Sequence, residues 1–468
     1  MVTTARQYIA AQADQVILEL SEYFGSHLQT KRAIREQFSR DESAHTPVLP
    51  DAVVAVASTE EVCRVVTACS HWQVPVVAYG TGTALEGQAI AVAGGLTLDM
   101  SAMNRVLEVH QDDLDAVVQP RVTRRQLNEY LKDSGLFFSV DPGADASLGG
   151  MAATRASGTN TVRYGSMREN VLSMEVVLAD GRVIRTSRRA RKSAAGYDLT
   201  HLFVGSEGTL GIITELTLRL FGQPEAISAA VCPFAEVEGA VRTAIETIQS
   251  GIPVARIELV DDVSMQAINR YSGTDYVEQP TLFLEFHGSA KSVREQAQMV
   301  QVIAADHGGS DFQWALKPED RHRLWRARHD MAYAGKALLP QSRIWATDVC
   351  VPISRLAECI VETRRDIQRE KLLAPMVGHV GDGNFHLVLL VDHQDPKQVN
   401  KAQDLHERMV MRALALGGTC TGEHGVGLGK KDFLQAEHGE ALSVMYSIKQ
   451  ALDPQNIMNP GKMLPDRQ

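Results

Sequence analysis

Two hydrophobic periods organise this chain. Residues 1 to about 45 read as a helical segment, an amphipathic helix that gives way to a polar link with Asp41, Glu42 and Pro47. Ser58 and Glu61 make a capping-box pattern that opens a helix ending at Trp72. The β-branched runs Val74 to Ala78 and Leu96 to Met100 predict strands, and Thr123 with Gln126 opens a second helix. Val171 to Leu178 and Val183 to Thr186, joined by Asp180-Gly181, predict a hairpin, and Ile212 to Leu220 alternates as a strand. After Pro224 the order changes. Strand Ala229 to Pro233, helix 235–250, strands Val254 to Val260 and Leu282 to Phe286, helix 289–306 and strand Phe312 to Leu316 follow. That βαββαβ order is the split βαβ arrangement of ferredoxin-like sheets. Helix 319–337, strand Ile344 to Val349, helix 354–370, strand Leu387 to Val391 and helix 396–416 extend it. A helix over 441–452 and the loop Asn456 to Lys462 close the chain. The pattern is α+β, divided at 1–45, 46–222, 223–425 and 426–468.

Composition narrows the class. With 468 residues, 44% hydrophobic and 22% charged, the chain has the apolar mass for two or three cores. That excludes a disordered tail, a collagen and a small disulfide scaffold. The formal charge of −10 argues against nucleic acid as a partner, because phosphate binding needs clustered Lys and Arg. The basic run Arg182 to Lys192 is too short to reverse this and reads as a solvated loop. Six cysteines without a C-x-x-C pair fit a reducing compartment. No run of about 18 apolar residues predicts a transmembrane helix. The first residues carry Asp14 and Glu19, unlike a signal or transit peptide. A cytoplasmic protein is expected, with a peripheral position on the inner membrane surface open.

Glycines cluster where chemistry would sit. Tyr79 to Gly87 holds Gly80, Thr81, Gly82 and Thr83 directly after a strand. Glycine lets backbone N–H groups approach an anion, and a pyrophosphate suits them. Leu85 stands where the dinucleotide fingerprint has its third Gly, and the Lys of a P-loop is absent. Two more loops follow: Asp141 through Asn160 and on to Gly165, and Gly205 to Ile213. Three such loops in one domain could wrap an extended dinucleotide through neutral donors.

These three loops resemble the FAD-binding domain of the vanillyl-alcohol oxidase type of flavoproteins, in the branch of D-2-hydroxy-acid dehydrogenases. The resemblance implies a two-subdomain FAD-binding domain, a ferredoxin-like substrate or cap domain, and a C-terminal segment returning to the flavin. It implies phosphate contacts at Gly80, Thr81, Gly82 and Thr83. It places Leu85, Glu86, Pro142, Gly143, Leu148, Gly149, Gly150, Thr154, Ser157, Gly158, Glu207, Gly211, Ile213 and Asn459 around the rest of the cofactor. Neither the first loop nor Asp141 to Gly165 contains a His or Cys, so the FAD is expected to be non-covalent.

A fourth constellation lies in Gly378 to His386 and Thr421 to Gly425. His379 and His386, seven apart, suit two sides of a glycine turn. Glu423 completes a two-His, one-carboxylate set for Zn²⁺ or Mn²⁺, with Asp382 a rival ligand. The set lacks H-E-x-x-H and is not a zincin. The same segments resemble the D-2-hydroxy-acid dehydrogenase pattern, which implies His379, His386 and Glu423 as metal ligands and His424 as the base. Leu324 to His329 and Thr347 to Ile353 resemble the FAD- and cytochrome-linked D-lactate dehydrogenases.

The implied chemistry is hydride transfer from Cα of a small 2-hydroxy acid to FAD, with the metal polarising the hydroxyl. Arg328 would pair with the carboxylate, with Arg326 as its rival. An external acceptor is implied: cytochrome c, a quinone or an electron-transfer flavoprotein. A homodimer is allowed for. Positions that carry a Thr, a Lys and an Asn in D-2-hydroxyglutarate-specific relatives fall on Ala332, Ala346 and Val388. Apolar groups there cannot hold a second carboxylate. D-lactate is therefore the expected substrate. The alternatives are a D-2-hydroxyglutarate dehydrogenase and the flavin subunit of a glycolate oxidase.

Overall fold

The structure is a computed structural model that describes residues 2–329 and 331–466. For residues 2–8, 323, 326, 327, 329, 331–333, 336 and 343 it describes the backbone alone. The chain forms two compact units. One comprises Met1–Ser157, Gly165–Gln223 and Glu423–Gln468, and the other Gly158–Tyr164 and Pro224–Gly422. The sequence pattern set the corresponding divisions at 222/223 and 425/426, with residues 158–164 in the earlier segment.

The first unit holds two main sheets. In one, strand Leu96–Asp99 lies between Ala52–Ala55 and Val76–Tyr79, all parallel, with Leu28–Gln29 antiparallel at the edge. Parallel neighbours need a crossover. Helix Thr59–Trp72 supplies it, burying Val62, Val65, Val66 and Cys69 on one stripe. Each such valine, moved from water to the core, contributes roughly 1.5–3 kcal/mol before entropy is counted. Ser58 Oγ caps the helix by accepting from the Glu61 N–H. The reciprocal bond lands one residue early, on the Ala57 N–H, because Glu61 Oε2 reaches it at 2.6 Å. At Thr123 both halves of the capping box form.

The other sheet is antiparallel, in the order Val106–His110, Asp115–Val118, Ile212–Arg219, Val171–Val177, Val183–Arg185. The predicted hairpin is present, with the Leu178 N–H donating to the Arg182 carbonyl at 2.9 Å. Helix Val2–Phe24 buries Ala13, Val16, Leu20 and Phe24 in the core of the first sheet.

In the second unit one sheet runs Gln313–Ala315, Ala226–Pro233, Thr281–Gly288, Val254–Val260, Met376–Gly378, Asn384–Val391, Arg343–Ala346. Its first four strands, numbered along the chain, lie in the order 4-1-3-2. That is the order the split βαβ pattern requires. An additional helix, Asp262–Ser272, sits between the second and third of them, with Asp261 as its N-cap. The predicted helix 319–337 is two helices, Pro318–His329 and Met331–Leu338. Of the cysteines, Cys69, Cys232, Cys359 and Cys420 are buried. Burial pushes the Cys359 thiol up to about 11. Among the described residues no helix is long and apolar enough to cross a membrane.

Candidate active site

In the first unit the strand Val76–Tyr79 delivers the Gly80 loop. Gly82 has φ +71°, and a Cβ on it would lie 2.1 Å from the Tyr79 hydroxyl, so only glycine fits. A Cβ on Gly80 would sit 2.3 Å from Ser147 Oγ. Thr81 Oγ1 accepts from the Ser147 N–H at 3.2 Å and lies 3.1 Å from Thr83 Oγ1. The first loop is thus tied to the start of helix Leu148–Thr154. Gly149 is pressed on Pro120, where a Cβ would meet Pro120 Cβ at 2.5 Å. Gly143 is open, with nothing within 4 Å of a built Cβ. Thr81, Gly82, Thr83, Leu85, Pro142 and Thr154 are half-buried and Gly150 is exposed. A cradle of partly open backbone and hydroxyl groups of this kind fits an extended dinucleotide.

Other residues expected around the cofactor have internal partners. Leu148 and Ile213 belong to the core, and Gly211 packs on Val176 and Val177. Glu86, buried, pairs with Lys430 at 3.2 Å. Glu207 has φ +53°, and its carboxylate accepts from the N–H groups of Val426 (2.6 Å) and Gly427 (2.9 Å). Burial pushes the Glu207 carboxyl above its ordinary range in spite of those donors. Asn459 Nδ2 donates to the Glu207 carbonyl at 2.7 Å and to the Gln88 carbonyl at 3.0 Å. Lys462 Nζ donates to Asn459 Oδ1 at 3.1 Å, and burial lowers its pKa to about 8. The return segment is therefore sewn to the first loop and its flank, and to the third loop, by side chains. Ser157 Oγ donates to Glu423 Oε2 at 2.7 Å, and His424 Nε2 lies 4.0 Å from Glu423 Oε1. The Gln88 amide holds the His424 carbonyl at 2.8 Å.

In the second unit His379 and His386 face each other, ring centroids 5.4 Å apart. Gly383, at φ +81°, closes the turn between them, where a Cβ would strike the Val351 carbonyl. Both rings are buried. His379 Nδ1 meets Glu258 Oε1 at 2.7 Å, and His386 Nδ1 meets the Thr347 carbonyl at 3.1 Å. Arg328 donates to Glu258 Oε2 from Nε (3.1 Å) and Nη2 (2.9 Å). Burial works against the Glu258 charge, but its partners His379 and Arg328 outweigh it and hold the carboxyl below its ordinary range. The Thr421 hydroxyl donates to Asp348 Oδ2 at 2.7 Å, and Gly422 fits where a Cβ would lie 2.1 Å from Asn384 Nδ2. This pins the chain one residue before Glu423. Gly158 lies in the short segment of this unit, its N–H on Thr161 Oγ1. The side chains of Arg326 and Ala332 lie outside the described residues.

Sequence reasoning missed Glu258, Lys430 and Gln88. Only Glu258 left a local signal: Arg256 and Glu258 are charged residues in an otherwise apolar strand that is buried throughout apart from Arg256 and reads as core.

Glycine-lined loops on a parallel sheet, a ferredoxin-like sheet carrying paired imidazoles, and a return segment define a flavoprotein of the vanillyl-alcohol oxidase type. The chain belongs to the FAD-linked oxidase family. The family's C-terminal domain, "FAD linked oxidases, C-terminal domain", matches residues 223–463, and an FAD binding domain matches residues 50–187. It is 54% identical to "Probable D-lactate dehydrogenase, mitochondrial" of Danio rerio, over 92% of this chain and 88% of that protein. It is 49% identical to "D-lactate dehydrogenase [cytochrome], mitochondrial" of Arabidopsis thaliana, over 89% of this chain and 74% of that one. Its fold matches the solved 4-ethylphenol oxidase of Gulosibacter chungangensis at TM-score 0.80 and 21% identity, covering 98% of each chain.

Proposed function

We propose that this chain oxidises D-lactate, and other small or hydrophobic D-2-hydroxy acids, to the 2-oxo acid, with non-covalent FAD and a divalent metal held by His379, His386 and Glu423. FAD supplies the two-electron oxidant, and Zn²⁺ or Mn²⁺ supplies a Lewis acid. The donor set suits either ion, two neutral imidazoles and a carboxylate. Each imidazole faces an acceptor at Nδ1, which turns its Nε2 lone pair outward. Ser157 holds one oxygen of Glu423.

His424 takes the hydroxyl proton as general base, its backbone anchored by Gln88. Arg328, with Nε and Nη2 on Glu258, meets the substrate carboxylate through Nη1. Gly80 to Thr83 cradle the pyrophosphate. An external acceptor removes the electrons. A cytochrome is the first choice, because the Arabidopsis relative's name specifies one.

One observation carries the choice of substrate. Ala346 and Val388 are directly opposed across neighbouring strands. Val388 is two residues beyond His386 in its strand, so all three share a face. The sheet face bearing His386 thus continues as apolar surface, where a distal carboxylate would be an unpaired charge costing several kcal/mol. The test is the flavin spectrum under anaerobic conditions. Bleaching by D-lactate and not by L-lactate supports the reading. Faster bleaching by D-2-hydroxyglutarate would overturn the substrate.

A further inference from the structure

We infer that Glu258 is a positioning residue whose single carboxylate fixes both the His379 imidazole and the Arg328 guanidinium. The inference rests on His379 being a metal ligand and Arg328 the carboxylate anchor. Glu258 is fully buried, reached by strand alternation on the face it shares with Arg256. Its two oxygens are divided: Oε1 to His379 Nδ1 at 2.7 Å, Oε2 to Arg328 Nε and Nη2 at 3.1 and 2.9 Å. A carboxylate is acceptor-only, so the ring nitrogen facing it carries the proton. That selects the Nε2 lone pair for an ion and fixes the ring plane. Oε2 of the same carboxylate holds the guanidinium by accepting from both Nε and Nη2. One residue therefore sets where the ligand lone pair and the anchoring charge lie relative to each other within this unit. A glutamine cannot do both jobs. Its one oxygen can serve His379 or Arg328, and its NH₂ then faces a donor.

The test uses the FAD-loaded protein, stripped of metal by chelation and desalting, and titrated with Mn²⁺ while the free ion is followed by electron paramagnetic resonance. Glu258→Gln is expected to weaken Mn²⁺ binding about 10- to 100-fold with the 450 nm flavin band retained. Adding Arg328→Met removes the competing donor, lets the amide oxygen turn to His379, and should restore part of that loss. This charge-neutral pair also keeps the question open to test where Glu258→Gln alone does not fold. Wild-type affinity in Glu258→Gln would overturn the inference. So would a double variant no tighter than the single one, since the loss would then come from charge and not orientation. His386→Ala separates the two readings. If wild type binds Mn²⁺ no better than His386→Ala, the metal site itself fails and takes the inference with it.

Discussion

Glu86 and Lys430 form a buried ion pair, Oε1 to Nζ at 3.2 Å, with the lysine wholly out of water. Glu86 belongs to the glycine loop after strand Val76–Tyr79, and Lys430 follows the Glu423-His424 pair by a few residues. The pair therefore locks the return segment beneath that loop. Lys430→Met leaves a buried carboxylate without its cation and is expected to cost about 3–5 kcal/mol of stability. Combining it with Glu86→Gln should recover most of that. Urea unfolding of the two singles and the double gives the coupling energy; additive losses would mean that the ion pair contributes nothing as a pair.

Gly149→Ala and Gly143→Ala should separate packing from cofactor contact. At Gly149 the new methyl meets Pro120 Cβ at 2.5 Å, so overpacking of about 1–3 kcal/mol is expected, with loss of FAD on gel filtration. At Gly143 there is open space, and protein free of FAD should keep its stability to within about 0.5 kcal/mol. Any FAD lost in Gly143→Ala then reports a methyl in the cofactor's place. Equal melting losses in the two variants would contradict this division.

Asp261 gives a signed pH dependence. Burial raises its carboxyl from 3.8 to about 6, against the N–H donors of Ser264 (2.8 Å) and Met376 (3.1 Å) on Oδ1. The folded state then binds more protons than the unfolded one between those values. Stability from this group is therefore lost as pH rises from about 4 to about 6, and the penalty persists above. Asp261→Asn keeps the Oδ1 acceptor and removes the titration. Relative to wild type, the variant should gain stability between pH 4.5 and 7. A difference that does not change with pH would refute the assignment.

Substrate choice can be moved at Ala346. Ala346→Lys places a cation opposite Val388, on the face of His386. It should raise kcat/KM for D-2-hydroxyglutarate relative to D-lactate at least tenfold, about 1.4 kcal/mol in differential binding. An unchanged ratio would show that the distal carboxylate lies elsewhere.

The base assignment predicts that His424→Gln lowers the rate of flavin reduction by D-lactate about 10²- to 10⁴-fold while FAD stays bound. Stopped-flow reduction measures it directly. A rate within a factor of three of wild type would remove His424 from the reaction.

Local signals reached far into this molecule because they report local physics. The capping residues Ser58 and Thr123 satisfy orphan helix N–H groups within a turn, so their helices were legible from a few residues. Alternation located the strands Val171–Val177 and Ile212–Arg219. The βαββαβ order along the chain pointed to a split βαβ sheet, and the strands lie in the 4-1-3-2 order of that arrangement. Glycines at 80, 82 and 383 marked close approaches, because a Cβ at each would strike a neighbour. What the tertiary structure alone decided were pairings between residues far apart in sequence. Glu258 meets His379 across 121 residues, Glu207 meets Val426 across 219, and Asn459 reaches Gln88 across 371. No local pattern encodes those partners, because a buried charge chooses among every donor the fold brings within 3 Å. The sequence announced that Glu86, Glu207 and Glu258 were charged. Only the folded chain determined what would neutralise them.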